Sequence, residues 1–390
     1  MSIEEQVPRV LFVDDGDLTE TSVTEEALGV SSLQTRIRHP EEVNATDLGW
    51  ADLVVVDYFL EDWQERDAAA SAARAPMNGL AVAATLRSSL LPSLRARREY
   101  KELPVRPVAF ALWSGNLAEA SFGLPEVVLP HVFSRENNLE WAFRRQDLLS
   151  GEGDNLLALA RAVATLPEVW SSREGESAGQ LWRLLGLRSD GNDWSHQAET
   201  DVLDCRPPLH ELGERSRGLV LLRWLLHRIF PYPCFLMDER QLCVRLRVES
   251  LPEDGSDGDG LRPALVPYEY TGTLAGFGGK RWWRAGVEEW LFQQTEGAAG
   301  DSRAVAELAK DLGAKTEREW LRPVIVITED LARADGLVEV EQSVRVRPDD
   351  WPPYADDAFA RIEDVTRHST LMALVNPADR YLISPETTDE

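Results

Sequence analysis

Short apolar runs alternate along the first part of this chain with longer polar stretches, and each run ends on a side chain capable of chemistry. Val10-Leu11-Phe12-Val13 closes on Asp14 and Asp15, and Leu53-Val54-Val55-Val56 closes on Asp57. Val108-Ala109-Phe110-Ala111-Leu112-Trp113 ends on Ser114, and Val127 to Phe133 is followed by Ser134 and Arg135. Such runs, separated by stretches long enough for crossover helices, predict strands of a parallel sheet buried on both faces. Carboxylates delivered by neighbouring strand ends form an acidic pocket at one sheet edge. That pocket suits a hard divalent cation and leaves one carboxylate to act as a nucleophile.

Beyond these runs the periodicity changes. Asn138 to Leu149, with Leu139, Ala142, Phe143 and Leu148–Leu149, reads as a helix. Gly151 to Asp154 breaks it, and Asn155 to Leu166 reads as a second helix with Asp154 as its N-cap. Pro167 to Gly179, rich in Ser, Glu and Gly, reads as a linker with a boundary near residue 170. The expected organisation is a first domain over 1–150, a helix and linker over 151–179, and an α+β domain over 180–390. In that last part a helix is expected over Leu209–Ile229 and a strand within Phe235–Val248, where Leu242, Val244, Leu246 and Val248 alternate. Helices are expected over Trp282–Gln294, Ala304–Leu312 and Asp356–His368, and strands over Arg322–Thr328 and Val338–Val346.

A length of 390 residues suits two domains of ordinary size. No apolar stretch approaches the ~20 residues that cross a bilayer. The acidic start, Met1 to Glu5, lacks the basic-then-apolar order of a signal peptide. Cys205, Cys234 and Cys243 make no CxxC pair, so a reducing, cytoplasmic setting is expected. The formal net charge is −26, and the part from Pro167 onward holds 41 acidic and 26 basic residues, net −15. A nucleic-acid binder needs a cationic face to displace counterions, so nucleic acid is not an expected partner.

Other candidate motifs in the second half are weaker. Gly272 to Lys280 is glycine-rich, but Leu274 and Arg281 break the Walker A pattern, and a tight structural turn is the expected role. Asp254 to Asp259 has the composition of a calcium loop without the EF-hand register. His227 sits among Trp224, Leu225, Leu226 and Ile229, the surroundings of a packed histidine rather than a phosphotransfer one. Trp282–Trp283 and Trp351-Pro352-Pro353-Tyr354 read first as core, then as contact surface. No recognisable catalytic set appears in this half.

An acid pair, a single Asp, a hydroxyl and a cation, each just behind a strand and in that order, resemble the receiver domain of two-component response regulators. The resemblance covers roughly the first 150 residues and implies a CheY-like doubly wound α/β fold with a five-stranded parallel sheet. It implies Asp14, Asp15 and Asp57 as Mg²⁺ ligands, Asp57 as phosphoacceptor from a histidine kinase or phosphotransfer protein, and Ser114 as the switch hydroxyl. Met77-Asn78-Gly79-Leu80 resembles the Met-Asp-Gly turn of the family. Three departures stand out. Arg135 and Glu136 replace the family's Lys and Pro, Glu61 to Pro76 form an insertion, and a basic stretch runs from Arg95 to Lys101. The leading reading is a phosphorylation-dependent switch that acts through contact with an effector protein. A receiver-gated enzyme or ligand sensor, and a pseudo-receiver that signals without phosphate, stay open beside it.

Overall fold

Runs that are apolar on both faces are stable only where neighbours cover both faces, and in the computed structural model they lie inside one sheet. The structure describes residues 7–16, 33–60, 63, 78–99, 106–115, 117, 124–145, 153–170, 174–187, 193–212, 218–252, 260–315 and 318–383. The chain divides into two compact units. The first comprises residues 1–185, 208–227 and 272–278, and the second residues 186–207, 228–271 and 279–390.

The first unit is built on β1 (Arg9–Val13), β2 (Gln34–Arg38), β3 (Leu53–Asp57), β4 (Ala109–Ser114) and β5 (Trp141–Arg144), in the spatial order β2-β1-β3-β4-β5. Every pairing is parallel. This is the expected doubly wound α/β sheet. Strands β3 and β4 are buried at every position, whereas the edge strand β2 is polar and only partly covered. Helices Ala45–Trp50, Gly79–Glu99 and Leu129–Glu136 lie between the strands in sequence. Leu48, Val82, Leu129 and Phe133 bring them into a common core with Leu11, Val54, Val56 and Leu112.

Two sequence expectations change here. Val127 to Phe133 is not the fifth strand: Leu129–Glu136 is a helix with proline in its first turn, burying Leu129 and Phe133 four residues apart. Proline is tolerated in that turn, where its missing N–H has no helical partner, whereas inside a strand it removes a ladder hydrogen bond. The stretch expected to be the following helix carries β5 instead.

Glu140, wholly buried just ahead of β5, ties three elements together. Its Oε2 accepts from the Phe110 amide at 2.5 Å and from Arg87 Nη2 at 3.0 Å. Its Oε1 accepts from Arg223 Nη2 at 2.6 Å, and the same guanidinium donates to Asn138 Oδ1 at 2.6 Å. At the start of β5 the Trp141 ring stacks on His227 at 5.7 Å, and the Phe277 ring meets Trp141 edge-on at 5.0 Å. His227 is therefore a packed histidine, and burial holds its pKa down at about 3. The loop holding Phe277 is a tight turn: a side chain at Gly272 would lie 2.4 Å from the Leu185 backbone, whose neighbour Leu184 accepts from Thr273.

Among its described residues the second unit is α+β, with three two-stranded pairings. They join β6 (Leu236–Asp238) to β7 (Arg281–Trp283), β8 (Pro323–Val324) to β9 (Val338–Glu339), and β10 (Ser343–Val346) to β11 (Ala358–Arg361). Of the strand expected within Phe235–Val248 only β6 forms, and Glu239–Leu246 is a helix. Asp238 and Gln241 make a capping box at its start, and the buried Leu242, Cys243 and Leu246 follow helical spacing. The expected Asp356–His368 helix opens instead with β11 and turns helical only at Ile362–Arg367. Trp282 and Trp283 are core, in line with their first reading. The insertion 61–76 lies outside the described residues except Trp63, as do the acidic stretch 253–259 and the tail from 384.

Removing the charge at Glu140 would leave two partly buried guanidinium groups with no carboxylate between them. Glu140→Gln is expected to lower unfolding stability by about 3 kcal/mol, read by urea denaturation.

Candidate functional site: an acidic cluster at the carboxyl edge of the sheet

Parallel strands all point the same way, so residues at their C-terminal ends share one edge. The order β1-β3 makes Asp14–Asp15 and Asp57 neighbours there, because Val13 pairs in register with Val56. Oxygen atoms of Asp14, Asp15 and Asp57 lie within 4.8 Å of one another. Asp14 and Asp57 are buried, and Asp15 is half-buried. The amide of Gly16 donates to Asp14 Oδ1 at 2.8 Å, and the amide of Phe59 donates to Asp57 Oδ1 at 3.4 Å.

The approach of the next helix depends on one missing side chain. A Cβ on Gly79 would lie 1.7 Å from the Asp57 carbonyl oxygen. With hydrogen there, the Gly79 amide donates to the Tyr58 carbonyl at 2.9 Å, and Asn78 Oδ1 caps Ala81. The Asn78-Gly79-Leu80 turn thus holds the loop carrying Asp57.

Ser114 closes β4 at the same edge, one residue beyond Trp113, which is the register partner of Asp57. Arg135 stands ahead of β5 in the chain. It lies in the Leu129–Glu136 helix, and its charge helps lower the pKa of His131 and His227. The residue immediately behind β5 is Arg145, and its Nη2 sits 3.4 Å from Asp14 Oδ2. The Arg145 guanidinium also lies over the Trp113 ring, 4.8 Å from its centre. Sequence reasoning missed Arg145 because it placed the fifth strand too early. The signal was Pro130, which belongs to a helix start.

The electrostatics follow from crowding. Asp57 has its pKa raised from 3.8 to about 7, first by burial and then by the Asp14 charge, with a smaller push from Asp15. The Arg145 charge and the Phe59 amide pull the other way without cancelling the effect. The set matches the needs of a small hard cation: three carboxylates, all oxygen donors, spanning a distance that ligands at roughly 2.0–2.6 Å from one ion would span. Asp14, Asp15 and Asp57 would hold such an ion, and a divalent charge would offset the burial and repulsion that raise the Asp57 pKa.

Strand order, all-parallel register and the carboxylates at the carboxyl edge decide the fold. The N-terminal part of the chain has the CheY-like receiver fold. Solved structures similar to it include the CheY-like response regulator receiver domain protein from Methanospirillum hungatei JF-1 (16% identity, 37% of this chain and 90% of that one, TM-score 0.22). They also include the signal receiver domain of NarL from Mycobacterium tuberculosis (19% identity, 37% and 92%, TM-score 0.20). RcsB from Salmonella enterica serovar Typhimurium, solved on the promoter P1flhDC with the phosphomimetic BeF3⁻, matches at 9% identity over 56% of this chain and 88% of its own, with a TM-score of 0.22. No family model matches the sequence, and no curated protein does. A shared fold does not fix a function, so the receiver's chemistry rests on its own side chains.

Those side chains predict a pH-dependent stability. With its pKa raised, folded Asp57 holds a proton that the unfolded chain gives up at about pH 4. Its contribution is therefore fully present below pH ~4 and is lost as pH rises through about 7. Asp57→Asn removes the buried charge, so in metal-free buffer it is expected to stabilise the protein by roughly 1–4 kcal/mol at pH 8. At pH 4 the two proteins should denature alike in urea.

Proposed function

We propose that the chain is a two-component response regulator whose receiver is phosphorylated on Asp57 by a histidine kinase or a phosphotransfer protein. The observation that carries this reading is the convergence of Asp14, Asp15 and Asp57 within 4.8 Å at the receiver's carboxyl edge.

In the proposed reaction a carboxylate oxygen of Asp57 attacks phosphorus, an O–P bond forms, and the P–N bond of the phosphohistidine donor breaks with its electrons staying on the imidazole. A carboxylate is a poor nucleophile towards a dianion, and the raised pKa of Asp57 means that it must first lose a proton near neutral pH. Bound Mg²⁺ supplies charge stabilisation at the equatorial oxygens of the transferring group. Asp14 and Asp15 would hold that charge beside the acceptor. Ser114 donates its hydroxyl to the phosphoryl oxygen. Arg145 exchanges its contact with Asp14 for one with the phosphoryl group, to which a guanidinium offers a planar fork where a lysine offers a point charge.

Output is proposed to pass through contact with an effector protein. The net charge of −15 from Pro167 onward opposes approach to a phosphate backbone. Of the two contact segments suggested by the sequence, the insertion is outside the described residues, and Trp351 to Tyr354 is tied into the second unit. There the Trp351 indole donates to the Asp356 carbonyl, and the Tyr354 hydroxyl donates to that of Arg228, both at 2.8 Å. Among the described residues no helix is long and apolar enough to cross a membrane.

Incubation with acetyl phosphate and Mg²⁺, read by intact mass, tests the acceptor. Wild type is expected to gain one phosphoryl group, Asp57→Asn none, and Asp15→Asn at least tenfold less in initial rate. Arg145→Ala should shorten the lifetime or yield of the adduct, whereas Arg135→Ala should behave as wild type. A mass shift surviving in Asp57→Asn, or none in wild type, would contradict the reading.

A further inference from the structure

The second unit holds a cavity of about 380 Å³ whose lining is largely apolar, including Met237, Val244, Ile325, Ile327 and Phe359. That volume lies within the range of small-ligand sites, which pair apolar walls with a few placed polar groups. Four arginines reach this cavity, and three of them are already matched. Arg245 makes two bonds to Glu288 at 2.5 and 2.6 Å, Arg284 makes two to Asp356 at 3.0 and 2.5 Å, and Arg333 is bonded to Asp238.

Arg247 differs from them in three respects. Among the described residues it makes no ion pair: Nη1 donates to the Val244 carbonyl at 3.3 Å, while its buried Nε has no hydrogen-bond partner. Its charge is held at a disadvantage, since burial and the neighbouring Arg245 both lower its pKa. Its backbone is also strained. Arg247 ends the Glu239–Leu246 helix in the left-handed region at φ 62°, ψ 36°, where glycine is the usual occupant. A residue with a Cβ in that conformation is retained against the local preference, and such outliers cluster at ligand sites. Helix termination does not require an arginine there; glycine would do it better.

We propose that this cavity binds a small amphipathic carboxylate, its head group paired with the Arg247 guanidinium and its apolar body against Val244, Ile325 and Ile327. The guanidinium fork matches a carboxylate in two parallel N–H···O bonds, satisfying the buried Nε and neutralising the one lining arginine that, among the described residues, has no carboxylate partner. The apolar part of the lining, with Val244, Ile325 and Ile327, favours a ligand with a hydrocarbon body over a free inorganic anion. This site is separate from the phosphoacceptor chemistry and gives the second unit a ligand of its own.

Isothermal titration of the full chain with octanoate and with octanol, which carries the same tail without the charge, tests the assignment. Octanoate is expected to bind at least tenfold tighter than octanol. Arg247→Gln and Arg247→Gly should both erase that preference while leaving octanol unchanged. Because glycine suits the left-handed backbone, R247G is also expected to melt no lower than wild type, so that loss of binding cannot be laid to misfolding. Equal affinity for octanoate and octanol, an octanoate preference that survives in R247G, or a clear drop in the melting temperature of R247G would each overturn the proposal.

Discussion

Mutual repulsion among three carboxylates is the constraint around which the receiver is arranged. A parallel sheet in the order β2-β1-β3-β4-β5 brings the ends of β1 and β3 side by side, and both ends are acidic. Burial denies these groups the water that would screen them, and the pKa of Asp57 rises to about 7 as a result. Arg145 relieves part of the repulsion, and Gly79 permits the helix behind β3 to approach closely enough to hold the Asp57 loop. The arrangement is poorly stable as three bare charges and well suited to a cation. An electrostatically frustrated site of this kind is expected where chemistry rather than stability has shaped the sequence.

The strand that carries Arg145 into place also carries other contacts of the first unit. Trp141 at the start of β5 stacks on His227, and Glu140 just ahead of it anchors Arg223, while Arg145 follows the last residue of β5. The strand is four residues long, so a displacement of Arg145 acts on a rigid element that already contacts the 218–227 segment. The His131–His227 pair, with its Nδ1 atoms 3.2 Å apart, stays uncharged because burial lowers both pKa values. An uncharged pair packs closely where two imidazolium ions would repel.

The central strands and the acidic pocket were legible because the sequence there is locally consistent. Val10 to Val13, Leu53 to Val56 and Ala109 to Trp113 are apolar on both faces, which in a short run means a buried parallel strand. Legibility failed where two principles competed. Val127 to Phe133 is rich in apolar residues, yet Pro130 and the spacing of Leu129 and Phe133 decide for helix. The actual β5, Trp-Ala-Phe-Arg, is short and carries no β-branched residue. The edge strand β2, Gln34 to Arg38, shows little apolar pattern because, at the sheet edge among the described residues, it is only partly covered. In the second unit the alternation of Leu242, Val244, Leu246 and Val248 imitates a strand, and the Asp238–Gln241 capping box overrides it. Arg247 could not have been singled out at all, since neither its positive φ nor its cavity leaves a mark in the local sequence.

Mg²⁺ binding measured by calorimetry in buffers of differing ionisation enthalpy tests the central claim most directly. If three crowded carboxylates hold the ion and Asp57 is half-protonated near neutrality, binding at pH 7 releases about half a proton per ion. Affinity then rises with pH through that range, and Asp57→Asn abolishes the proton release. Binding that releases no proton in wild type, or that is unaltered in Asp57→Asn, would contradict the account.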